Sequence, residues 1–309
     1  MRVVVTGGCG FIGSHVVARL LGAGHEVVVV DRRIERAWPN ADYIRTDILD
    51  LPGLVEAIRD AQVVYHLAGV SDVDKAVKDP VGTVQTNVAG TATVLEAARQ
   101  VGVERVGLAS TVWVYGAAPG EGAIDEDSPL QPTSVNHVYT ASKIAAEMLV
   151  QSYHDLYGLD YTILRYGIPY GPGMRPELVV ARFVHLGLEG KPLTISGDGS
   201  QYRRYLYVED LAQAHVLALS PAAANQVLAL DGEERVTVRQ IAEAVRDLLG
   251  DVEVVTQPAR AGDFRGRDVE VGRAAELLGW HPHTPFKEGL RRYLEWYRAT
   301  GGHAGAAPA

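Results

Sequence analysis

Short apolar runs alternate with longer stretches of helical period over the first 166 residues. The runs lie at 2–6, 26–30, 62–66, 104–109 and 161–165, with helix-periodic segments between them. Such alternation predicts a doubly wound α/β fold, a parallel sheet with right-handed crossovers and helices packed on it. After residue 166 the pattern changes. Pro169, Gly171, Pro172, Gly173 and Pro176 break regular structure, and short helices and strands mix to about residue 300. This predicts a smaller mixed α/β lobe closing over the carboxyl ends of the strands. The expected division is a first domain of 1–166, to which the chain returns at about 197–228, a second lobe of 167–196 and 229–300, and a disordered tail at 301–309.

The first two apolar runs frame Thr6-Gly7-Gly8-Cys9-Gly10-Phe11-Ile12-Gly13, and the second run ends in Asp31. Strand, glycine turn, helix, and strand ending in an acid make a dinucleotide-binding unit. Gly7 and Gly10 leave the turn bare where a pyrophosphate must approach, and Gly13 lets the helix pack closely on the strand. The helix N-terminus offers free N–H groups and its positive dipole end to the phosphates. Asp31 can accept from both hydroxyls of an adenosine ribose, which favours NAD. Arg32 and Arg33 next to it are of the type that holds the extra phosphate of NADP, but a carboxylate facing that phosphate would repel it.

Composition narrows the class. The 309 residues carry a net charge of −9, with 47% apolar and 22% charged residues, an ordinary globular balance. An acidic chain without Lys/Arg clusters argues against a general nucleic-acid binder. No apolar stretch reaches the roughly eighteen residues of a membrane span, and Met1-Arg2 leads straight into the first strand, so a cytoplasmic protein with no membrane association is expected. Cys9 is the single cysteine, so no intrachain disulfide forms, and the ten histidines are scattered without metal-ligand spacing. No metal is expected.

Candidate chemistry sits in Tyr139-Thr140-Ala141-Ser142-Lys143. This spacing places a phenol and an ammonium on one face of a helix running to about Tyr157. Lys143, with a positive nicotinamide ring nearby, is expected to move Tyr139 toward the pH at which a base is useful. Upstream, Ser110-Thr111 ends an apolar strand at the sheet's functional edge, where a hydroxyl can bind a substrate oxygen.

The glycine turn, Asp31, His66-Leu67-Ala68-Gly69, Asn87-Val88-Ala89-Gly90-Thr91, Ser110-Thr111 with Val114-Tyr115-Gly116, and the Tyr139/Lys143 pair together resemble the extended short-chain dehydrogenase/reductases. The likeness covers nearly the whole chain. It continues through Tyr170-Gly171-Pro172-Gly173, Gly197-Asp198-Gly199-Ser200-Gln201, Tyr207-Val208-Glu209-Asp210, Arg260-Ala261-Gly262-Asp263 and Leu277-Leu278-Gly279-Trp280, which are similar to segments of the nucleotide-sugar epimerases and dehydratases. The resemblance implies that Tyr139 is the general base and acid, that Lys143 holds the nicotinamide ribose, and that Thr111 binds the reacting oxygen. It places Asp47 and Ile48 at the adenine, and Phe11, Ile12, Arg32, Leu67 and Ala68 along the rest of the cofactor. Arg203 and Arg260 would grip the diphosphate of the nucleotide sugar, a role suited to bidentate guanidinium contacts. Glu177, Leu178 and Asp263 would line the same substrate site. A homodimer paired through helices near 83–101 and 138–157 is also implied.

Three departures bear on the reaction. Dehydratases of this family carry an acidic pair after the strand-end threonine, and decarboxylases a nearby glutamate, where this chain has Val112 and Trp113. Elimination of water needs a proton donor there, so a dehydratase is disfavoured. Ile168 stands where many epimerases have asparagine, and Glu177-Leu178-Val179 differs from an Asn-Leu pattern. The expected activity is NAD-dependent C4 epimerisation of a nucleotide sugar, a UDP-hexose above others. A 4-ketosugar reductase using NAD(P)H and a dinucleotide-sensing protein without turnover are the alternatives.

Overall fold

The computed structural model describes residues 1–34, 38–116, 123–130, 135, 137–258 and 268–302. Within them, strands β1 (Arg2–Thr6), β2 (Glu26–Asp31), β3 (Ala41–Arg45), β4 (Val63–His66), β5 (Arg105–Thr111) and β6 (Asp160–Tyr166) come first. They are followed by β7 (Ile168–Tyr170), β8 (Leu193–Ser196), β9 (Tyr202–Tyr207), β10 (Gln226–Leu230), β11 (Arg235–Thr237) and β12 (Val254–Gln257). Seven strands form one sheet in the order β10-β6-β5-β4-β1-β2-β3, parallel throughout. This is the doubly wound sheet the alternation predicts.

Successive side chains of a strand face opposite sides, and β1 feeds two cores accordingly. Val3 and Val5 join a cluster with Val16, Val17 and Leu20 of the helix Phe11–Gly22, while Val4 packs on the other face with Leu54, Val94, Leu95 and Val150. Five members of the sheet, β1, β2, β4, β5 and β6, match the expected runs to within two residues at either end. Two others were not expected. β3 reads Ala-Asp-Tyr-Ile-Arg and has no fully buried residue, because it is the sheet's edge. β10 lies beyond the Pro/Gly-rich break and pairs with β6, Leu230 opposite Tyr166.

The remaining strands form two small sheets, β11-β9-β7 and β12-β8. A third core supports them, with Tyr170, Phe183, Tyr207, Phe286 and Tyr293 among its buried residues. Phe11, from the first helix of the sheet domain, packs against this third core. Its neighbour His15 is hydrogen-bonded at Nε2 to the carbonyl of Pro172, 2.8 Å away. The start of that helix is thus tied to the second set of elements.

Candidate active site

The carboxyl ends of β1, β2, β3 and β4 meet around a cleft of about 240 Å³. Gly7, Cys9 and Gly10 form its floor, Asp31, Arg32, Arg33, Thr46, Asp47 and Ile48 one side, and Leu67, Ala68 and Gly69 the other. The glycines are there for space. Gly7 has φ +72°, and a Cβ on it would stand 2.7 Å from the backbone of Ala68. A Cβ on Gly13 would stand 2.2 Å from the carbonyl oxygen of Gly7, so only glycine lets the helix approach the turn.

Asp31 is held by backbone. One carboxylate oxygen accepts from the N–H of Cys9 at 3.2 Å and the other from the N–H of Arg33 at 3.2 Å. This aims the carboxylate at the mouth of the turn with lone pairs to spare. Arg32 leans instead toward Asp47, 3.7 Å away, in an exposed ion pair. The cradle therefore fits a dinucleotide: bare backbone at the turn, a fixed carboxylate at the end of β2, and buried Ile48 with Asp47 beyond it.

At the inner end the cleft meets the helix Val138–Tyr157. A Cβ on Gly69 would lie 3.6 Å from Nζ of Lys143, so this ammonium stands at the cleft wall. Tyr139, Lys143 and Thr111 are all buried, with 9%, 8% and 6% of their surface exposed, which makes local charges strong. Lys143 donates to the carbonyl of Ala109 at 2.9 Å. Burial lowers it to about 8, and the Glu147 carboxylate pulls it back up.

Tyr139 departs from expectation. Burial pushes its phenol up to about 12, and the groups that draw it down are the Thr111 hydroxyl, by a hydrogen bond, and the Arg175 guanidinium, by charge. Lys143 is not among these groups, and in the chain by itself desolvation of a phenolate outweighs them; the nicotinamide charge that the expected downward shift also invokes would act in addition. Thr111 joins the set because β5 ends there, and its Oγ1 also caps the following turn by accepting from Trp113 N–H at 3.2 Å. The Trp113 ring lies edge-on to Tyr139, centroids 6.5 Å apart.

Several participants escaped sequence reasoning. Arg175 forms an ion pair with Asp72, which caps the helix Val73–Lys78 beside the sheet. Asn87 sits in a five-residue π-helical segment, Gln85–Ala89, of the kind often found at functional sites. Its amide binds both backbone groups of Val70, at 2.7 and 2.9 Å, and donates to Ser142 Oγ at 2.9 Å. Ser142 in turn donates to the Tyr139 carbonyl. The π bulge is a structural signal with no simple sequence pattern, although Asn87 itself opens the Asn87–Thr91 motif of the resemblance.

Of the substrate-side candidates, Arg203 lies on β9 and donates to the carbonyl of Tyr202 at 2.7 Å. Leu178 begins the helix Val179–Leu188 and packs into the third core, whereas Glu177 is exposed. Arg260 and Asp263 lie outside the described residues. Among the described residues there is no cluster of His, Cys, Asp or Glu able to hold a metal, and no helix long and apolar enough to cross a membrane.

Residues 3–229 match the profile of the NAD dependent epimerase/dehydratase family. The chain is 36% identical to a UDP-glucose 4-epimerase of Mycolicibacterium smegmatis, over 96% of this chain and 99% of that one. A dTDP-glucose 4,6-dehydratase of Streptomyces antibioticus is 34% identical, over 96% and 92%. Among solved structures, a Thermotoga maritima UDP-glucose 4-epimerase with UDP-glucose superposes with a TM-score of 0.90 at 33% identity, covering 97% of this chain and 99% of that one. A Thermus thermophilus UDP-glucose 4-epimerase in complex with NAD gives 0.87 at 36% identity, covering 97% and 100%. The chain belongs to the NAD-dependent epimerase/dehydratase family, the nucleotide-sugar branch of the extended short-chain dehydrogenase/reductases.

Proposed function

We propose that this protein is a nucleotide-sugar C4 epimerase acting on a UDP-hexose, with UDP-glucose and UDP-galactose as the interconverted pair. One observation carries the choice within the family. The Thr111 hydroxyl draws the Tyr139 phenol down, while the two following positions hold Val112 and Trp113, so this turn supplies no carboxyl to protonate a departing hydroxyl. Such a site suits reversible proton transfer at one oxygen better than elimination.

Residues 1–166 with 197–228 hold the dinucleotide in this reading, and 167–196 with 229–300 hold the sugar nucleotide. Gly7, Gly10, Phe11, Ile12 and Gly13 form the pyrophosphate turn, Asp31 and Arg32 the adenosine ribose end, Asp47 and Ile48 the adenine site, and Leu67 and Ala68 the opposite wall. When bound, NAD supplies the hydride acceptor and donor at C4, so the sugar passes through a 4-keto form with no net redox. Tyr139 takes the proton from the 4-hydroxyl and later returns it. Thr111 holds the reacting oxygen, and Lys143 binds the nicotinamide ribose while adding positive charge beside the phenolate. Arg203, with Arg260, grips the diphosphate; Glu177, Leu178 and Asp263 complete the substrate site.

The protein works as a cytoplasmic homodimer in this proposal. Val81, Val84, Met148, Leu156 and Tyr157 are exposed apolar residues on the helices Pro80–Val84 and Val138–Tyr157 that this pairing would cover.

Tyr139→Phe tests the mechanism. It removes one oxygen, so NAD and UDP-glucose still bind while epimerisation falls by ~10²–10⁴-fold, the usual share of a positioned acid–base group. A variant that converts UDP-glucose at the parental rate refutes the scheme. A parent enzyme that consumes reduced cofactor stoichiometrically is a 4-ketosugar reductase instead.

A further inference from the structure

Beneath the catalytic set lies a buried ionic network that the reaction scheme leaves unused. Glu147 is one helical turn beyond Lys143, on the same face. Its carboxylate receives a two-pronged contact from Arg165 of β6, Nε to Oε1 at 3.1 Å and Nη2 to Oε2 at 2.7 Å. Ser110 Oγ, next to Thr111, donates to the same carboxylate. Arg165 also donates to the Tyr115 hydroxyl at 2.9 Å and lies over that ring, 4.8 Å from its centroid. Both ion-pair side chains are almost wholly buried, at 5% and 2% exposure.

The network touches each element that carries the reaction. Glu147 shares the helix of Tyr139 and Lys143, Ser110 is the penultimate residue of β5, and Arg165 stands directly opposite Ser110 in the β5–β6 register. Tyr115 closes the turn that begins at Val112. A planar guanidinium held by two parallel bonds permits little sliding of the helix over the strand ends.

Resting on the epimerase reading, we propose that Glu147 is a positioning residue for the reaction: clamped by Arg165 and Ser110, it fixes the helix against the Thr111 strand end and sets a carboxylate under the Lys143 ammonium. Among the described residues, Tyr139 lies one helical turn before Lys143, His66 of β4 feels the Lys143 charge, and Arg165 of β6 stands behind Glu147. His66 is held neutral by burial, down to about 3, and the Lys143 charge adds to that effect. Glu147 is thus the group that favours the charged amine, while desolvation opposes it.

The chain's five lysines, Lys75, Lys78, Lys143, Lys191 and Lys287, make a direct test practical. Protein labelled with ¹³C at lysine Cε gives few enough signals to follow Lys143 through a pH titration, with Lys143→Arg as the assignment control. In Glu147→Gln the Lys143 midpoint should fall by about one pH unit or more, a tenfold change in its proton affinity. The alkaline limb of the epimerisation profile should move down with it, while NAD and UDP-glucose still bind. Should Glu147→Gln fail to fold, the doubly neutral Glu147→Met, Arg165→Met protein carries the same measurement without leaving an unpaired buried charge, and a smaller shift in the same direction is expected, because the more distant Arg165 cation is lost with the carboxylate. An unchanged Lys143 midpoint in whichever variant folds overturns the proposal. If the parent turns over no UDP-hexose while the midpoint shifts as expected, the reaction assignment fails and the clamp stands.

Discussion

The dinucleotide cleft and the proposed catalytic centre adjoin each other yet are built by opposite means. The cleft is shaped by backbone: bare glycines, main-chain N–H groups holding Asp31, and charged side chains such as Arg32 that reach into solvent. The centre is shaped by side chains packed away from water, with Tyr139, Lys143, Thr111, Glu147 and Arg165 all buried. Solvent screens charge in the first and leaves it strong in the second. The cleft should therefore be sensitive to added volume and tolerant of charge changes, whereas the centre should respond strongly to charge changes.

The contrast is sharpened most by Gly13→Ala. Its new Cβ meets a backbone oxygen that cannot swing aside, so the protein should lose about 1–3 kcal/mol of stability, as in other overpacked cores, and bind NAD more weakly. Thermal melting with and without NAD reads both effects. An alanine variant that melts and binds like the parent would mean the cleft is not shaped by its backbone.

Arg175→Met probes a half-exposed charge that acts on a buried group. Arg175 holds the Tyr139 phenol down, so its removal should raise the pH at which the rate climbs by up to about one unit. At a fixed pH below that limb the variant is slower than the parent. A profile that does not move would show that the charge is screened after all, and the contrast would lose its electrostatic half.

The smallest effect is expected for Asp31→Ala. Losing the carboxylate proposed for the ribose end should reduce the preference for NAD over NADP by about 0.5–1.5 kcal/mol, a charge-assisted hydrogen bond discounted for solvent screening. Titrating both dinucleotides gives the ratio. A loss of NAD binding a hundredfold or larger would place Asp31 among the strongly coupled groups rather than the screened ones.

How much of this could be read from the chain depended on the range of the forces involved. Periodicity and glycine spacing are local, so β1, β2, the first helix and the Tyr139/Lys143 pair were legible. Glu147 repeats the same spacing from Lys143, yet a glutamate at that offset is usually a solvated partner, and only the approach of Arg165 from β6 buries it. Arg175 reaches Tyr139 through the packing of the second set of elements on the sheet, which no local pattern encodes. Only half of the balance at Tyr139 was legible, for a related reason: the charges stand in the sequence, but the depth of burial does not. β3 was missed because an edge strand lacks the apolar run that marks a central one.

The placement of β10 bears on how the molecule assembles. The chain leaves the main sheet at Tyr166 and supplies the strand beside β6 only at 226–230. In between lie β7, β8, β9 and the helices Val179–Leu188 and Val208–Leu217. A growing chain that has made only the first six strands thus holds Thr162, Ile163 and Leu164 on an unpaired, apolar edge, a hazard for association with other chains. The hydrogen bonds of Arg105 to the carbonyls of Leu219 and Ser220, and of Thr162 to that of Ala223, form only when this later segment returns. Completion of the sheet must therefore await the segment after it, a long-range pairing that slows folding and makes the two halves one cooperative unit.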